Sequence, residues 1–209
     1  MRKFIRRLSS FFTPRRNVVY GEEFFSPGWF EAWQKLAPVL RGIIETQPQW
    51  RSILDFACGP GIMIDVMNDG GWNYVGCERS SAARDLYLKS FGRYPEKYFT
   101  DLTDLKTQRF DVLLSFDVFE HLTDPEVIEL LAATENTPEI FVNISRTQGI
   151  PGHINLKNDT QWVALFAKAG LRLDDERTQI ARRKYKELRP MQQDLWNQNM
   201  FIFTRREKL

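Results

Sequence analysis

A short stretch in the first third of the chain combines an acidic side chain with a loop of small residues: Ser52–Ile62 reads SILDFACGPGI. The pattern predicts a buried strand through Asp55 and a tight turn in which Ala57, Gly59 and Gly61 occupy every second position. Small residues at a strand-to-helix turn let the backbone approach a ligand closely. A dinucleotide-binding loop would instead read G-x-G-x-x-G and hold a pyrophosphate. The spacing here therefore favours a nucleotide-like ligand that carries no phosphate.

Two further acids follow predicted strands at places that suit the rest of such a ligand. Glu78 ends the strand pattern Asn73–Cys77, about one βαβ unit after Asp55. A carboxylate at that position can accept two hydrogen bonds from a ribose diol. Asp101 closes the segment Tyr94–Asp101, which contains a short strand pattern. The alternative for Asp101 is an ordinary turn residue.

The chain has only two histidines, His121 and His153, and both follow predicted strands. His121 lies after the apolar run Phe110–Phe116, which is typical of a strand buried on both faces. Ligands of open α/β sheets bind at strand carboxyl ends, and an imidazole there can accept a proton from a hydroxyl. His153 is therefore the first candidate catalytic base and His121 the second, with a structural helix-start role as the alternative for His121. Glu120 is expected to brace the loop.

The runs DFACGPG and FDVLLSFDVFEHL resemble motifs I and IV of the class I S-adenosylmethionine-dependent methyltransferases, with Ala57 where that family usually has its first glycine. The resemblance covers residues 50–175 well and the two ends loosely. It implies S-adenosylmethionine as cofactor and S-adenosylhomocysteine as product. The residues that it assigns to cofactor binding are Asp55, Ala57, Cys58, Gly59, Gly61, Glu78, Arg79, Asp101, Leu102, Phe116, Asp117 and Val118.

Within that set, the resemblance implies a contact for each part of the cofactor. The first loop, residues 55–61, would lie against the methionyl part and Glu78 against the ribose. Asp101 and Leu102 would contact the adenine, and residues 116–118 the side near the methyl group.

The elements around these residues predict one doubly wound α/β domain. Helices are expected at about residues 28–45, 62–68, 80–91, 124–134 and 159–169, with further strands at 139–144, 171–177 and 199–204. Their order predicts a mostly parallel, seven-stranded, Rossmann-like sheet with helices between the strands and a terminal antiparallel strand. The basic segment 178–198 is expected to be a solvated helix face, with a cover over the acceptor pocket as the alternative.

The N-terminal part divides into two predicted segments ahead of the methyltransferase domain, residues 50–209. Residues 17–49 are expected to form a helical cap, in which Tyr20, Phe24 and Phe25 are candidates to approach the methyl group or to pack against the core. Residues 1–16 carry six basic residues and no acid, on an amphipathic helix pattern. Such a helix can contact an anionic membrane surface or a partner, or dock on its own domain.

Composition and charge narrow the function further. The 209 residues carry a net charge of +2, so the chain lacks the basic balance of a nucleic-acid-binding domain. No apolar run approaches the roughly 18 residues of a membrane span. Cys58 and Cys77 are expected to be free thiols in a reducing, cytoplasmic compartment. Two histidines are too few for a persuasive zinc site, so no metal is predicted.

These observations favour a methyltransferase that acts on a small-molecule or glycan acceptor at a hydroxyl. The elements His153-Ile154-Asn155 and Asn199-Met200-Phe201 resemble those of relatives in glycan and secondary-metabolite pathways. Three alternatives stay open: a methyltransferase for RNA or protein, a nicotinamide-dependent oxidoreductase, and a non-catalytic cofactor-binding scaffold. DNA is not expected as a substrate, because no Asn/Asp-Pro-Pro-aromatic run is present to grip the amino group of a base.

Overall fold

Seven strands form one mixed sheet in the computed structural model, which describes residues 25, 27–90, 92–105, 107–189 and 196–205. The strands are β1 (Ser52–Phe56), β2 (Asn73–Cys77), β3 (Tyr98–Phe99), β4 (Val112–Phe116), β5 (Glu139–Asn143), β6 (Leu171–Leu173) and β7 (Met200–Arg205). The α-helices are α1 (Pro27–Ile44), α2 (Ile62–Asp69), α3 (Ser81–Ser90), α4 (Asp124–Ala133), α5 (Asp159–Lys168) and α6 (Asp175–Leu188).

The strand order is β3-β2-β1-β4-β5-β7-β6. The five strands from β3 to β5 run parallel, while β7 is antiparallel to both β5 and β6. The chain therefore builds outward from β1 to β3 and then returns to start the other half at β4. The carboxyl ends of all five parallel strands lie at one edge, and the order reverses between β1 and β4.

Both faces of the sheet are covered, which explains the continuous apolar runs of the strands. One core cluster contains Leu40 of α1, Ile64 of α2 and Tyr185 of α6. The opposite cluster contains Leu130 of α4 and Phe166 of α5. Side chains along β4 alternate between the two clusters, so a strand with no polar face satisfies both.

The predicted fold class is confirmed, and two local predictions need correction. Only a 3-10 helix, Leu102–Leu105, joins β3 to β4 where the predicted order has an α-helix. Strand β6 ends at Leu173, four residues early, because the Asp174 side chain accepts from the Arg177 backbone N–H at 3.1 Å and starts α6. Helix α4 is capped by Thr123, whose backbone N–H donates to Glu126 at 2.7 Å.

The basic helix α6 is not simply a solvated face. Ala181 and Tyr185 are buried in the core, and the Arg182 guanidinium donates to the Met200 carbonyl at 2.9 Å. The helix thereby packs on the sheet beside β7, and Arg177 near its start donates to Glu139 at 2.6 Å, while Arg183, Lys186 and Glu187 are exposed. Both cysteines are free thiols, as predicted.

The first described helix, α1, matches the predicted helix within one residue at each end. Leu40 and Ile43 are fully buried, so α1 is part of the packed domain. Phe25 is buried as well, whereas Tyr20, Phe24 and residues 1–16 lie outside the described residues. Among the described helices, none has the length and apolar character needed to span a membrane.

Candidate active site

Two loops flank the point where the strand order reverses: residues 57–61 after β1 and residues 117–121 after β4. In open α/β sheets, ligands bind in the crevice at such a point. Ala57 has φ 60° and Asp117 has φ 54°, and these are the non-glycine residues with positive φ in the described chain. A left-handed conformation costs a residue with a β-carbon about 1–2 kcal/mol. The backbone strain therefore lies on both sides of the crevice.

The first loop is held rigidly from the side of the core. Gly61 has φ 64°, and a β-carbon there would lie 2.9 Å from Ile64 and 3.0 Å from Tyr87. The Tyr98 hydroxyl donates to the Gly59 carbonyl at 2.8 Å. Gly61 is thus required by the packing of α2 and α3 beneath the loop, a reason that the spacing of small residues did not reveal.

Asp55 is buried within β1, beneath this loop. The Tyr74 hydroxyl donates to its carboxylate at 2.8 Å. Burial raises the pKa of Asp55 to about 7, against the opposing effect of the Tyr74 hydrogen bond. At neutral pH both protonation states of the Asp55 carboxyl are therefore populated, and a nearby positive charge would favour the ionised form.

Glu78, directly after β2, lies against the same loop. Its carboxylate accepts from the Ser80 N–H at 2.8 Å and from the Gly59 N–H at 3.3 Å. Burial raises its pKa, while backbone N–H groups of Ser80, Gly59 and Arg79 oppose the shift. A carboxylate offers about four acceptor positions, so capacity remains for a ligand hydroxyl. This arrangement fits a nucleoside ribose.

Four other residues predicted to bind the cofactor differ in whether their side chains can contact a ligand above the loop: Cys58, Arg79, Asp101 and Leu102. Cys58 Sγ points at β2, since a β-carbon on Gly76 would lie 2.6 Å from it, and burial raises the pKa of this thiol. The Arg79 side chain is exposed. Asp101 accepts from the Thr103 N–H at 2.7 Å in the turn after β3, and Leu102 is buried. Cys58 can therefore offer only its backbone to a ligand above the loop.

The second loop begins with Phe116 and Asp117, and Trp196 covers both. The Trp196 ring lies 5.8 Å from the Phe116 ring, and its indole N–H donates to Asp117 Oδ2 at 3.2 Å. Asp117 Oδ1 is buried with no partner among the described atoms, and burial raises the pKa of Asp117 to about 6. Val118, next in the loop, is half-buried.

Trp196 is a site residue that the sequence reading missed. Its backbone carbonyl accepts from Asn143, at the end of β5, at 2.6 Å. Nothing in its local sequence marks it, because it is brought to the crevice by a long-range return of the chain.

The two histidines meet at the far end of the second loop, together with Glu120. Their rings lie 4.8 Å apart in an edge-to-face arrangement, and His153 Nε2 is 3.9 Å from Glu120 Oε1. Burial and His153 lower the pKa of His121 to about 4, so this imidazole is neutral at physiological pH. Burial, and secondarily Asp117, raises the pKa of Glu120 to about 8.

The segment 145–158, after β5, closes this cluster. Backbone N–H groups of Ile154 and Asn155 both donate to the Glu120 carbonyl at 2.9 Å. The Asn155 side chain donates to the Leu122 carbonyl at 2.8 Å and to Asp124 at 2.9 Å. The spacing His153-x-Asn155 thus places one side chain in the cluster and the other in its support.

A comparison with protein families identifies the family to which this chain belongs. A family model described as a methyltransferase domain matches residues 28–137, more than half of the chain. The chain belongs to the class I S-adenosylmethionine-dependent methyltransferases. S-adenosylmethionine is the cofactor of this family.

One curated relative of this methyltransferase is the ubiquinone biosynthesis O-methyltransferase of Idiomarina loihiensis, 29% identical over 110 residues. The match spans 48% of this chain and 45% of that relative, so it covers less than half the relative's length.

Solved structures share the fold over nearly the whole methyltransferase chain. Magnesium protoporphyrin IX methyltransferase of Synechocystis, with bound S-adenosylmethionine, has a TM-score of 0.57 at 11% identity, covering 98% of this chain and 90% of its own. The sugar N-methyltransferase KedS8 of Streptoalloteichus has a TM-score of 0.54 at 16% identity, covering 99% and 93%.

The strain at Ala57 predicts that Ala57→Gly stabilises this methyltransferase. Removing the β-carbon relieves the left-handed penalty by more than the flexibility of glycine costs, a net gain of about 0.5–1 kcal/mol in the free energy of unfolding. Urea denaturation would measure it. The matched control Ala164→Gly, at an exposed interior position of α5, should lose about 1 kcal/mol. A loss in both variants would contradict the strain.

The burial of Asp55 predicts a pH-dependent effect of Asp55→Asn. Because the folded-state pKa lies above the unfolded value of about 3.9, the folded state binds more protons between these values. The stabilisation linked to protonation is present below about pH 4 and is lost as the pH rises through about 7. The amide introduced by Asp55→Asn can still accept the hydrogen bond from Tyr74, and it does not titrate.

Urea denaturation of both proteins at pH 5, 6, 7 and 8 would test this without any ligand. The advantage of the Asp55→Asn variant should grow between pH 5 and 7, by up to roughly 1.4 kcal/mol per pH unit, and level off by pH 8. The exposed-site variant Glu96→Gln should leave the profile unchanged. Parallel profiles for wild type and Asp55→Asn would show that Asp55 ionises normally.

Proposed function

We propose that this protein transfers a methyl group from S-adenosylmethionine to a hydroxyl of a small-molecule or sugar acceptor. The observation that carries the proposal is the cluster of Glu120, His121 and His153 beside the crevice, at the carboxyl ends of β4 and β5. A methyltransferase acting at oxygen needs a group that can take up the hydroxyl proton, and an imidazole serves this purpose near neutral pH.

The cofactor lies in the crevice between the two strained loops. When bound, it supplies a methyl group already activated on a sulfonium. Glu78 accepts hydrogen bonds from the ribose, and Asp101 with Leu102 borders the adenine. The loop after β1, including Asp55, holds the methionyl part. The raised pKa of Asp55 supports this assignment, because a ligand ammonium nearby would favour the ionised carboxylate.

The acceptor lies on the other side, between the second loop and the segment 145–158. His153 Nδ1 lies 2.9 Å from the Thr147 carbonyl, an arrangement that leaves Nε2 with its lone pair when Nδ1 donates. His153 is then the proton acceptor and His121 a neutral neighbour that positions the hydroxyl. Phe116, Asp117 and Val118 line the side nearest the methyl group.

The acceptor has an apolar part, in this proposal. Ile150, Ile154 and Leu156 expose 44%, 41% and 36% of their surface along the segment 145–158. These aliphatic side chains support an acceptor with hydrophobic surface beside its hydroxyl. The similar proteins, an O-methyltransferase and a sugar N-methyltransferase, are consistent with a small hydroxylated acceptor.

The terminal segments complete the proposal. Residues 50–209 form the methyltransferase domain and residues 17–49 its N-terminal cap, while residues 1–16 contact an anionic membrane surface or a partner. The basic, amphipathic pattern of residues 1–16 supports this contact.

Calorimetric titration of the full-length protein tests the cofactor assignment. S-adenosylmethionine and S-adenosylhomocysteine should bind saturably with one site per chain, and NAD should not bind. Binding of NAD alone would favour the oxidoreductase alternative. S-adenosylhomocysteine release over a panel of sugars and small hydroxylated acceptors then tests methyl transfer, and binding without release on any of them would favour a scaffold.

Glu78→Ala should weaken S-adenosylmethionine binding at least about tenfold, because hydrogen bonds to a charged acceptor contribute about 1.5–3 kcal/mol. Calorimetry measures the Kd, and circular dichroism checks the fold. The control Glu96→Ala removes the same charge from an exposed position and should bind normally. Equal affinity in the two variants would remove Glu78 from the site.

His153→Ala should lower turnover about 10²–10⁴-fold while leaving the Kd for S-adenosylmethionine unchanged, since general base catalysis contributes about that much. The assay follows S-adenosylhomocysteine release with the best acceptor from the panel. His153→Gln, which can hydrogen-bond but cannot take up a proton at neutral pH, should not rescue turnover. Unchanged turnover in His153→Ala would exclude a catalytic role.

A further inference from the structure

We propose that Glu120, His121 and His153 bind one first-row divalent cation at the carboxyl ends of β4 and β5. One ligand atom from each of the three residues lies within 4.8 Å of the other two. The sequence predicts no metal here, because two histidines far apart along the chain do not by themselves indicate a site. The fold brings them together when the segment 145–158 pairs with the Glu120 backbone.

Glu120 provides the independent sign that a cation belongs in this cluster. Its side chain is fully buried, and Oε2 has no hydrogen-bond partner among the described atoms. Oε1 accepts from the Ser145 N–H at 3.1 Å. In the described part of the chain, no lysine or arginine forms an ion pair with it. A buried carboxylate oxygen without a partner is costly, and a bound cation would satisfy it.

The histidines are oriented as metal ligands usually are. His153 Nδ1 lies 2.9 Å from the Thr147 carbonyl, and the His121 ring hydrogen-bonds the Gly152 backbone. A ligating histidine commonly donates its second ring N–H to a carbonyl, which fixes the ring and leaves the other nitrogen for the metal. Asp117 Oδ1, also buried and without a described partner, lies in the same loop and adds negative charge.

The distances require a small closure on binding. Metal–ligand bonds of about 2.1 Å place tetrahedral ligand atoms about 3.4 Å apart. His153 Nε2 and Glu120 Oε1 are 3.9 Å apart, and the widest separation in the set is 4.8 Å. Small rotations of the side chains that move the ligand atoms by about an ångström would bring these atoms to bonding distance.

The donor set selects the class of cation. Two imidazole nitrogens with one carboxylate suit zinc, iron or manganese, whereas magnesium and calcium prefer oxygen ligands throughout. Three protein ligands leave coordination positions open. This step rests on the proposed function: with the cation bound, the acceptor hydroxyl would occupy one of them and its pKa would be lowered. The proton-accepting role proposed for His153 Nε2 would then apply to the metal-free enzyme.

Zinc binding to the full-length, tag-free protein tests the site without cofactor or acceptor. After treatment with a chelator and dialysis, the protein should take up one equivalent of Zn²⁺ by calorimetry and elemental analysis. An excess of Mg²⁺ should not displace it. The chain has only these two histidines, so a nitrogen-rich site elsewhere cannot give the same result.

Variants assign the zinc to the cluster. Glu120→Gln retains an acceptor for the Ser145 N–H, and it should weaken zinc binding at least about tenfold, as should His153→Ala. The control Glu96→Gln changes an exposed carboxyl outside the cluster, and this variant should bind zinc normally. Thermal unfolding confirms that each variant is folded.

Two results would overturn the proposal: less than stoichiometric zinc in the wild type, or equal zinc affinity in Glu120→Gln and wild type. S-adenosylmethionine titration of the same samples keeps this outcome separate from the proposed function. Cofactor binding without zinc binding rejects the metal site alone, and zinc binding without cofactor binding rejects the proposed function alone.

Discussion

The pairing of β1 with β4 is the contact on which the whole site depends. Asp55 lies opposite Leu114 in a parallel register, so both strands end at the same edge and their loops leave in different directions. The gap between the loops is a consequence of connectivity, and it would exist whatever residues filled it. Specific chemistry then requires only that the first residues after each strand are suitable. This explains why the candidate residues come from loops distant in sequence, yet form one crevice.

The crevice edge collects carboxyl groups whose pKa values are raised by burial: Asp55, Glu78, Asp117 and Glu120. Asp55, Asp117 and Glu120 form no ion pair with a lysine or arginine of the described chain. The fold gives up stability to bury these acids, as functional sites commonly do. Such an edge is suited to ligands that bring positive charge or hydroxyl donors. S-adenosylmethionine carries a sulfonium, an ammonium and a ribose diol, so the electrostatics and the family membership agree.

Local patterns were sufficient to predict most strands, most helix boundaries and the acids at the strand ends, because buried parallel strands read as continuous apolar runs. They failed where a distant segment decides the outcome. The β6 boundary depends on the Asp174 side chain capping α6, and Trp196 reaches Asp117 only through the return of the chain before β7. The meeting of His153 with Glu120 is of the same kind. Sequence could name both histidines, but the distance between them is a property of the assembled sheet.

The segment that closes the histidine cluster alternates in direction: His153 and Asn155 turn inward, while Ile154 and Leu156 face solvent. Its attachment to the Glu120 carbonyl uses backbone N–H groups, which every residue except proline provides. The outward side chains are therefore free to vary without disturbing the inward ones. Over evolutionary time, such a segment can change the range of accepted substrates by simple exchange of surface residues, while the reactive centre is inherited intact.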